Sequence, residues 1–429
     1  MTKMDKILIK IKKLGRIKKS EIEIDRMVLF SGESGLGKSY LAILCHYFFH
    51  VLVDDKRIDS YLKEIGADFN LQRSNFKNTG IAIEIQKSEL EKWLAKDAVE
   101  YMQYMLDNEN LKGEIEVKLP NSVPETITIH YKEQLVGFTE NEEPYLLLHT
   151  DHLSYRVLNS DNFGESPYSV VLRHQLITLI LSSFKAVEDC FVFPPSRGFA
   201  LSETFNPVSG LYQSYNETLL KLKKATIEND DIINKTLNNL ILNILDGRVE
   251  FKDNKFTYHS NGEPMPISAA AASVRELAPF ELLAEKTNIS KDVVLIEEPE
   301  AHLHPLKQRL IADVISLMFN AGAHLQITTH SDYFLRRINE FIILNRIKNR
   351  INDEKKYYEL CETLDINPEL VLPIEGISAY ILLPNDDGTS RIEKQNLVDG
   401  VPFTSFTKAV ENSLRMLDKL YDFENNEDC

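Results

Sequence analysis

The sequence predicts an α/β fold built on a mixed sheet, for three reasons. An apolar strand at residues 26–30 runs into the glycine-rich turn 32–37 and then into an apolar helix at residues 39–53. A buried strand, an acidic turn, a helix and a second strand follow one another over residues 293–330, which is the pattern of a parallel sheet with crossover helices. Short alternating segments and amphipathic helices lie between, so we expect an antiparallel β subdomain and a helical insertion.

The hydrophobic pattern also predicts the remaining elements. Strands are predicted at residues 6–14, 17–24, 114–119, 126–131, 145–149, 379–383 and 391–397. Helices are predicted at residues 88–106, 166–184, 211–246, 305–319 and 405–421. The strands predicted at residues 114–119, 126–131 and 145–149 are separated by turns, so we expect them to form one antiparallel sheet. The strands predicted at residues 379–383 and 391–397 are expected to form a hairpin.

Composition excludes several classes of protein. The chain has 429 residues and a formal net charge of −16, and 43% of its residues are hydrophobic, which is enough for a packed core and unlike a disordered, collagen-like or disulfide-scaffold protein. Its four cysteines form no C-x-x-C pair, so neither a zinc ribbon nor a redox motif is encoded. Free thiols favour a cytoplasmic location. With no signal-peptide pattern and no apolar run of bilayer length, we expect no membrane partner.

A phosphate-binding motif lies between the first apolar strand and its helix. The motif G-x-x-x-x-G-K-[ST] is formed by Gly32, Glu33, Ser34, Gly35, Leu36, Gly37, Lys38 and Ser39. Its glycines let backbone N–H groups approach phosphate oxygens closely. Lys38 is then expected at the β- and γ-phosphates, and the Ser39 hydroxyl is expected on Mg²⁺. The sequence therefore predicts a P-loop nucleoside triphosphatase.

Two acids follow the buried strand at residues 293–296. Glu297 and Glu298 leave this strand at its carboxyl end, where parallel sheets bind ligands. The first can hold Mg²⁺, and the second can orient or deprotonate the attacking water. The alternative is that both are solvated acids at a helix N-terminus, where the helix dipole favours negative charge.

The amino-acid sequence of this region resembles that of a known superfamily. Residues 295–305 read L-I-E-E-P-E-A-H-L-H-P and residues 327–331 read I-T-T-H-S, which resemble the Walker B, D-loop and H-switch segments of ABC-type ATPases. The resemblance is to the stand-alone ATPases near RecF, SMC proteins and the OLD family. It implies ATP and Mg²⁺ as cofactors, Glu298 as the catalytic glutamate and His330 as the γ-phosphate sensor. Glu297 stands where the family usually has the Mg²⁺-linked Asp.

Three further candidates come with this resemblance. Ser273 lies in the Ala-rich segment 268–277, which matches the family's signature segment. In the family, that segment contacts the nucleotide of the opposite subunit. Here it has no glycine, and it also fits an ordinary packed helix. Arg197 follows a Pro-fixed turn where similar ATPases place a nucleotide-facing side chain, with a structural salt bridge as the alternative. His304 falls in the D-loop, which crosses between subunits. A metal pair of His302 and His304 is the other interpretation of that loop, and no further ligands complete it.

These assignments give a predicted set of site residues and a predicted domain plan. The predicted ATP-binding residues are Gly32, Glu33, Ser34, Gly35, Leu36, Gly37, Lys38, Ser39, Tyr40, Arg197 and Ser273, the catalytic residues Glu298 and His330, and the metal ligands Ser39 and Glu297. Residues 1–345 are expected to form a discontinuous ABC-type ATPase domain. Within it, 1–55 and 286–345 make the nucleotide lobe and 56–285 a β and helical insertion. Residues 346–429 are expected to form a C-terminal subdomain.

The resemblance also implies a biological role. It suggests an ATP-hydrolysing sensor or switch subunit in anti-phage defence, acting as an ATP-dependent homodimer or higher oligomer with a separate effector such as a nuclease or toxin. A DNA-repair ATPase is one alternative, because eight of the first nineteen residues are basic and DNA is a possible partner. Those residues also fit the solvated face of a strand hairpin. A scaffold that binds ATP without hydrolysing it is the third possibility.

Overall fold

The computed structural model describes residues 6–69, 80–134, 145–158, 165–181, 187–202, 206–225, 232–253, 255–260, 264–351, 353–402 and 404–426. The strands are β1 Leu8–Leu14, β2 Ile17–Glu23, β3 Met27–Gly32, β4 Ile81–Gln86, β5 Gly113–Lys118, β6 Thr126–Gln134, β7 Tyr145–His149, β8 Ser154–Leu158, β9 Asp189–Phe193, β10 Arg248–Lys252, β11 Lys255–His259, β12 Met265–Pro266, β13 Asp292–Glu297, β14 His324–Thr328, β15 Ile377–Pro384 and β16 Ser390–Lys394. The helices are α1 Lys38–Val53, α2 Asp55–Glu64, α3 Lys87–Met105, α4 Pro167–Ile180, α5 Gly210–Lys224, α6 Ile232–Leu245, α7 Ala272–Lys286, α8 Pro305–Ala321, α9 Asp332–Arg350, α10 Glu354–Thr363 and α11 Thr404–Asn426.

A mixed sheet organises the molecule. Nine strands from the described ranges form it, in the order β5-β1-β2-β16-β15-β3-β14-β13-β9. The strands β15, β3, β14, β13 and β9 run parallel, and β1, β2 and β5 pair antiparallel. This confirms the predicted α/β class with a mixed sheet. Because parallel strands end at the same edge, the ends of β3, β13 and β14 lie together there.

The two faces of the central sheet bury different cores. Val28 and Phe30 of β3 pack on one face with α1, whereas Met27 and Leu29 of the same strand pack on the other face with α8. Alternate residues of a strand point to opposite faces, and both faces are covered here, so these strands read as continuous apolar runs. The sheet is therefore held between layers of helices, and its loop-bearing edge stays open.

One predicted sheet is divided between two sheets in the structure. β5 joins the central sheet beside β1, with Ile115 opposite Ile11 and Val117 opposite Ile9. The other two predicted strands, β6 and β7, pair with each other and with β4 and β8 in a separate antiparallel sheet. The prediction of one sheet from all three was wrong, because β5 buries its apolar face against β1 instead of against β6.

The predicted C-terminal hairpin lies in the central sheet. β15 and β16 pair antiparallel, as expected, but β15 also pairs along its length with β3, and β16 meets β2 through Ser390 and Ile17. Residues 346–429 thus contribute strands to the nucleotide lobe, which differs from a self-contained C-terminal subdomain. β5 and β9 likewise join this sheet from the predicted insertion. The division of the chain into domains stays a proposal.

Helix predictions agree with the structure in place and differ at their ends. The predicted helix 166–184 is observed as α4, and residues 182–186 lie outside the described part of the chain. The predicted segment 211–246 contains α5 and α6, with residues 226–231 again outside it. No helix of the described residues is long and apolar enough to cross a bilayer.

The last helix, α11, exposes a set of large apolar side chains. They are Val410, Leu414, Met416, Leu417, Leu420, Tyr421 and Phe423. Contiguous exposed apolar residues of this kind mark interaction surfaces in folded proteins.

Candidate active site

The phosphate-loop motif joins the end of β3 to the start of α1. Gly32 and Gly37 have φ angles of 125° and 107°, which L side chains rarely adopt. A Cβ at Gly32 would lie 2.6 Å from the backbone oxygen of Leu382, and one at Gly37 would lie 2.9 Å from the Ile17 side chain. Glycine is therefore required at both positions for the loop to pass close to β15 and β2.

The middle of the loop is open to solvent. Glu33, Ser34 and Gly35 are exposed. The half-buried Leu36 accepts a hydrogen bond from Ser390 Oγ through its backbone oxygen, at 2.7 Å. This bond ties the loop to β16. The loop thus has a fixed base and a free upper surface on which phosphate oxygens could lie.

Lys38 turns its side chain back over the loop. Its Nζ donates to the backbone oxygens of Gly32 and Glu33, at 3.0 and 2.9 Å. Burial lowers the pKa of this ammonium to about 8, and the carboxylates of the turn 297–300 oppose that shift. His330 Nδ1 lies 3.4 Å from the same nitrogen. The ammonium therefore stands between the loop and the acidic turn.

Ser39 and Glu297 form the first link between the two motifs. The Ser39 hydroxyl donates a hydrogen bond to Glu297 Oε2. Glu297 is buried, and burial raises its pKa to about 7. Its second oxygen, Oε1, is buried and has no hydrogen-bond partner among the described residues. An unpartnered carboxylate oxygen beside a hydroxyl fits a divalent cation that takes oxygen ligands, so these two residues could hold Mg²⁺ beside a bound triphosphate.

Glu298 and His330 form the second link. Glu298 adopts a left-handed backbone, with φ 48°, and its N–H donates to Thr328 O at 3.0 Å. Its Oε1 lies 3.4 Å from His330 Nε2. The hydrogen bond from His330 lowers the pKa of the Glu298 carboxyl, which keeps this acid ionised. Strained backbone of this kind clusters at functional sites.

Glu300 fixes the position of the His330 segment, and the sequence analysis missed it. The buried Glu300 Oε1 accepts hydrogen bonds from Thr329 Oγ1 at 2.8 Å, His330 N at 2.7 Å and Ser331 N at 3.1 Å. Burial raises the pKa of this carboxyl, while these bonds oppose the shift. The only sequence signal for Glu300 was that a third acid lies two positions after Glu298. Its hydrogen-bond donors lie about thirty residues further along the chain, so its role could not be predicted locally.

A cavity of about 360 Å³ lies over the loop. Its lining includes Ser34, Lys38, Ser39, Glu298 and His330 among the predicted residues. The structure thus brings together the loop, the second acid and the histidine on one wall. Glu297 lies beneath this wall, in contact with Ser39.

The turn between β1 and β2 also lines this cavity. Arg16 Nη1 donates to Gly35 O at 3.2 Å, and the Tyr40 ring packs against Gly15. Tyr40, a predicted ATP-binding residue, therefore contacts the turn between β1 and β2. The sequence predicted this turn as part of a hairpin but did not predict that it borders the nucleotide cavity. An arginine and a tyrosine at a cavity wall are suited to stack on a base.

Arg197 is not at this cavity. Its side chain is fully buried and donates to the backbone oxygens of Glu276 at 2.8 Å, Pro194 at 3.1 Å and Glu297 at 3.0 Å. Burial lowers the pKa of the guanidinium, and the nearby Glu276 carboxylate opposes that shift. The prediction of a nucleotide-facing arginine was wrong. Arg197 has the alternative, structural role, because its guanidinium donates to backbone carbonyls near the end of β13 instead of to a phosphate.

Ser273 lies in the first turn of α7, half-exposed. It is absent from the lining of the cavity over the loop. The start of α7 has no side-chain cap, which leaves its first N–H groups open to an outside acceptor. Behind it, the Glu276 carboxylate accepts from the backbone N–H groups of Arg197 and Gly198, at 2.9 and 3.0 Å. The helix start is thereby held against the turn that follows β9.

The basic strands at the beginning of the chain face acids. Lys12 lies 2.9 Å from Glu116 and Lys18 lies 3.3 Å from Asp387, while Lys10 lies 3.7 Å from Glu21. Lys3 falls outside the described residues. These pairs favour the solvated-hairpin interpretation over a ridge for DNA phosphates, because their charge is already compensated.

His302 and His304 are both exposed. His304 Nδ1 accepts from Leu306 N at 3.4 Å and caps α8. In the part of the chain that the structure describes, no third His, Cys, Asp or Glu completes a ligand set around them. The metal-pair interpretation therefore has no support, and both side chains are available at the surface.

Residues 199–335 match the family model described as AAA ATPase domain. This segment holds the acidic turn and His330. These residues are similar to that family's ATPase domain. Together with the phosphate loop and the sheet order described above, this match indicates a P-loop ATPase fold.

Solved structures similar to this chain include two SMC head domains and an ABC transporter cassette, each at a low TM-score. One is the Smc head domain from Pyrococcus furiosus, solved with an extended coiled coil and bound to the C-terminal domain of ScpA. It has a TM-score of 0.37 and 12% identity, and the match covers 97% of this chain and 99% of that one. The SMC head domain from Thermotoga maritima has a TM-score of 0.32 and 10% identity, with coverage of 92% and 100%. A bacterial ABC transporter cassette, MJ0796, has a TM-score of 0.28 and 12% identity, with coverage of 77% and 90%. No match was found among the curated proteins.

Proposed function

We propose that this protein binds ATP with Mg²⁺ in the cavity over its phosphate loop and hydrolyses it. One observation carries the proposal: groups distant in sequence meet at this cavity. Ser39 bonds to Glu297 across 258 positions, and Lys38 approaches His330 across 292 positions. Each group has the chemistry that phosphoryl transfer needs, which is mostly positioning and charge balance.

The residues divide the steps of hydrolysis between them. Lys38 and the loop N–H groups balance the charge of the β- and γ-phosphates. Glu298, kept ionised by His330, orients the attacking water and accepts its proton. His330 lies on the cavity wall beside Lys38, where a γ-phosphate would meet it. Ser39 and Glu297 would hold Mg²⁺, and the bound ion would supply positive charge at the phosphates.

The active form is a pair of chains joined through ATP. Ser273 and the uncapped start of α7 lie away from the chain's own cavity, so they are free to meet the nucleotide of a second copy. His302 and His304 are exposed on the turn after β13, and Leu306 is 69% exposed. These groups would be covered in a head-to-tail dimer.

Two substitutions should separate binding from hydrolysis. Lys38→Ala removes the ammonium at the phosphates and is expected to abolish ATP binding. Glu298→Gln keeps the size of the side chain but cannot accept a proton, so we expect normal binding, hydrolysis reduced by roughly 10²-fold or more, and a dimer that persists with ATP. Glu109→Gln, at an exposed turn, is the control and should behave as the wild type. Isothermal titration, phosphate release and sedimentation measure the three properties.

The same measurements can contradict the proposal. Wild-type protein that binds ATP but leaves it intact after long incubation, as a stable oligomer, would support the non-hydrolysing scaffold instead. ATP hydrolysis that needs duplex DNA ends would support the repair alternative. Unchanged ATP binding in Lys38→Ala would place the nucleotide elsewhere and refute the site.

The biological role we propose is a cytoplasmic sensor or switch subunit in anti-phage defence, working with a separate effector. The resemblance of the 295–305 segment to RecF- and OLD-like ATPases supports this role, and the exposed apolar side chains of α11 support a protein partner. Cells that carry this gene with its neighbouring genes should resist phage, and Lys38→Ala should remove that resistance. Equal resistance in cells with the Lys38→Ala variant would contradict the role.

A further inference from the structure

Two histidines and a cysteine converge at the far end of α1 from the phosphate loop. One ligand atom from each of His46, His50 and Cys190 lies within 4.8 Å of the other two. His46 and His50 are four positions apart on α1, so they share a helix face. Cys190 is the second residue of β9. This cluster has no part in the proposed ATPase mechanism.

Neighbouring side chains hold one ring nitrogen of each histidine. His46 Nδ1 lies 3.0 Å from Gln326 Oε1, an acceptor, so Nδ1 carries the proton. His50 Nε2 lies 3.3 Å from Asp54 Oδ2. These contacts leave His46 Nε2 and His50 Nδ1 as the nitrogens available to an ion. Metal-binding histidines almost always have their other nitrogen held in this way, by a carboxylate or a carbonyl-type oxygen.

The surroundings suit a ligand site. His46 is buried, and with its Nδ1 proton directed at Gln326 its Nε2 offers a lone pair. His50 and Cys190 are only partly buried, which gives an ion and a fourth ligand access from solvent. Water is the fourth ligand, because Asp54 already holds the other nitrogen of His50.

We propose that His46, His50 and Cys190 bind one Zn²⁺ ion. Two imidazoles and a thiolate are ligands that Zn²⁺ favours. Bond lengths of about 2.0–2.1 Å to nitrogen and 2.3 Å to sulfur put the ligand atoms of a tetrahedral site roughly 3.3–3.7 Å apart. Small side-chain rotations would close the cluster from its present spacing. The Cys190 thiol loses its proton to solvent as the zinc–sulfur bond forms.

The ion would tie together two segments that lead to the nucleotide site. α1 begins at Lys38 and Ser39, and β9 leads directly into the turn that carries Arg197. Because α1 packs against β9, an ion between them would stiffen that contact. It would raise the thermal stability of the folded chain, since it binds the folded state preferentially.

Cobalt is the probe that tests this site in the full-length protein. Co²⁺ titrated into chelator-treated wild-type protein should give visible d–d bands and a near-ultraviolet sulfur-to-cobalt charge-transfer band that saturate at one ion per chain. Zn²⁺ should then remove both, and it should raise the melting temperature by several degrees. The charge-transfer band reports a cysteine ligand, so Co²⁺ bound at Ser39 and Glu297 would not produce it.

Variants assign the band to these residues. Cys190→Ser should remove the charge-transfer band, and His50→Gln should weaken Co²⁺ binding by about tenfold or more. Cys45→Ala, next to His46 on the same helix, and Cys361→Ala should keep the wild-type spectrum. ATP binding by each variant checks that it is folded. Absence of the band in the wild type, or its persistence in Cys190→Ser, would refute the site.

Discussion

Arg197 shows how one residue can support a site without facing it. Its guanidinium donates to the backbone oxygens of Glu276, Pro194 and Glu297. The backbone oxygen of Arg197 in turn accepts a hydrogen bond from Tyr215 Oη at 2.8 Å. These bonds join the turn after β9, the start of α7 and the end of β13. The acidic turn that begins at Glu297 is therefore anchored from behind.

Replacing Arg197 should cost stability before it affects chemistry. Arg197→Lys keeps the charge but loses the fork of donors, so several buried carbonyls lose their partner. We expect the free energy of unfolding in urea to fall by roughly 2–4 kcal/mol. Arg350→Lys, at the exposed end of α9, should change it by less than about 0.5 kcal/mol. Wild-type stability combined with weakened ATP binding in Arg197→Lys would restore the nucleotide-facing assignment.

At the residue scale, the site residues that could be predicted from the sequence are those whose roles follow from their immediate neighbours in the chain. Lys38 and Ser39 follow from a contiguous motif, and Glu297 and Glu298 follow from their position after an apolar strand. Glu300 could not be found in this way, because its role depends on hydrogen bonds to residues 329–331. Arg197 was misassigned because a turn with an arginine does not reveal whether the side chain points to solvent or into the core.

At the element scale, α7 carries a buried acid against β10. Both carboxyl oxygens of Glu281 lie within hydrogen-bond distance of Val249 N, at 3.0 and 2.9 Å. Burial raises the pKa of Glu281 to about 8 from the ordinary 4.5. Asp292, at the start of β13, behaves likewise, with burial raising its pKa to about 8. Both carboxyls are therefore protonated in the folded chain at neutral pH.

These raised pKa values make stability depend on pH with a definite sign. The folded chain holds the Glu281 proton more tightly than the unfolded chain, so this stabilisation is complete below about pH 4.5 and is lost as pH rises through about 8. Glu281→Gln cannot ionise. Relative to the wild type, it should gain on the order of 1–3 kcal/mol of unfolding free energy between pH 5 and pH 9.

Urea unfolding at several pH values measures this difference. Glu109→Gln, which replaces an exposed acid, is the matched control and should follow the wild-type profile. A constant difference between Glu281→Gln and the wild type at all pH values would contradict the assignment of a protonated Glu281.

Element positions were predictable because periodicity is a local property. β13, β14 and α8 were found within one or two residues of their observed ends, and the hairpin of β15 and β16 was found from its turn residues. Strand partners were not predictable in the same way. β5 alternates like any half-buried strand, and only the apolar face of β1 decides where it pairs.

At the scale of the whole molecule, the central sheet is assembled from distant parts of the chain. β3 lies between β14 and β15, and Gly32 at its end stands opposite Leu382. No local pattern indicates that residues near 380 border the phosphate loop. This is why the sequence suggested a separate C-terminal subdomain.

Truncation should test this arrangement. A chain ending at residue 345 lacks β15 and β16, which exposes one edge of β3 and removes the Ser390 bond to the loop. We expect it to aggregate and to bind no ATP. A chain ending at residue 403 lacks only α11 and should remain folded and bind ATP as the wild type does. Circular dichroism and ATP titration compare the two, and a folded, ATP-binding 1–345 chain would contradict this role of the hairpin.

The position of β15 has a consequence during synthesis. The ribosome completes β3 and the phosphate loop within the first tenth of the chain, yet the strands on both sides of β3 are made only after residue 320. Sheets formed from such distant segments fold late, because loop closure precedes any gain from pairing. A nascent chain would therefore be unable to capture nucleotide until it is nearly finished, and the strand that carries the loop would depend on chaperones until then.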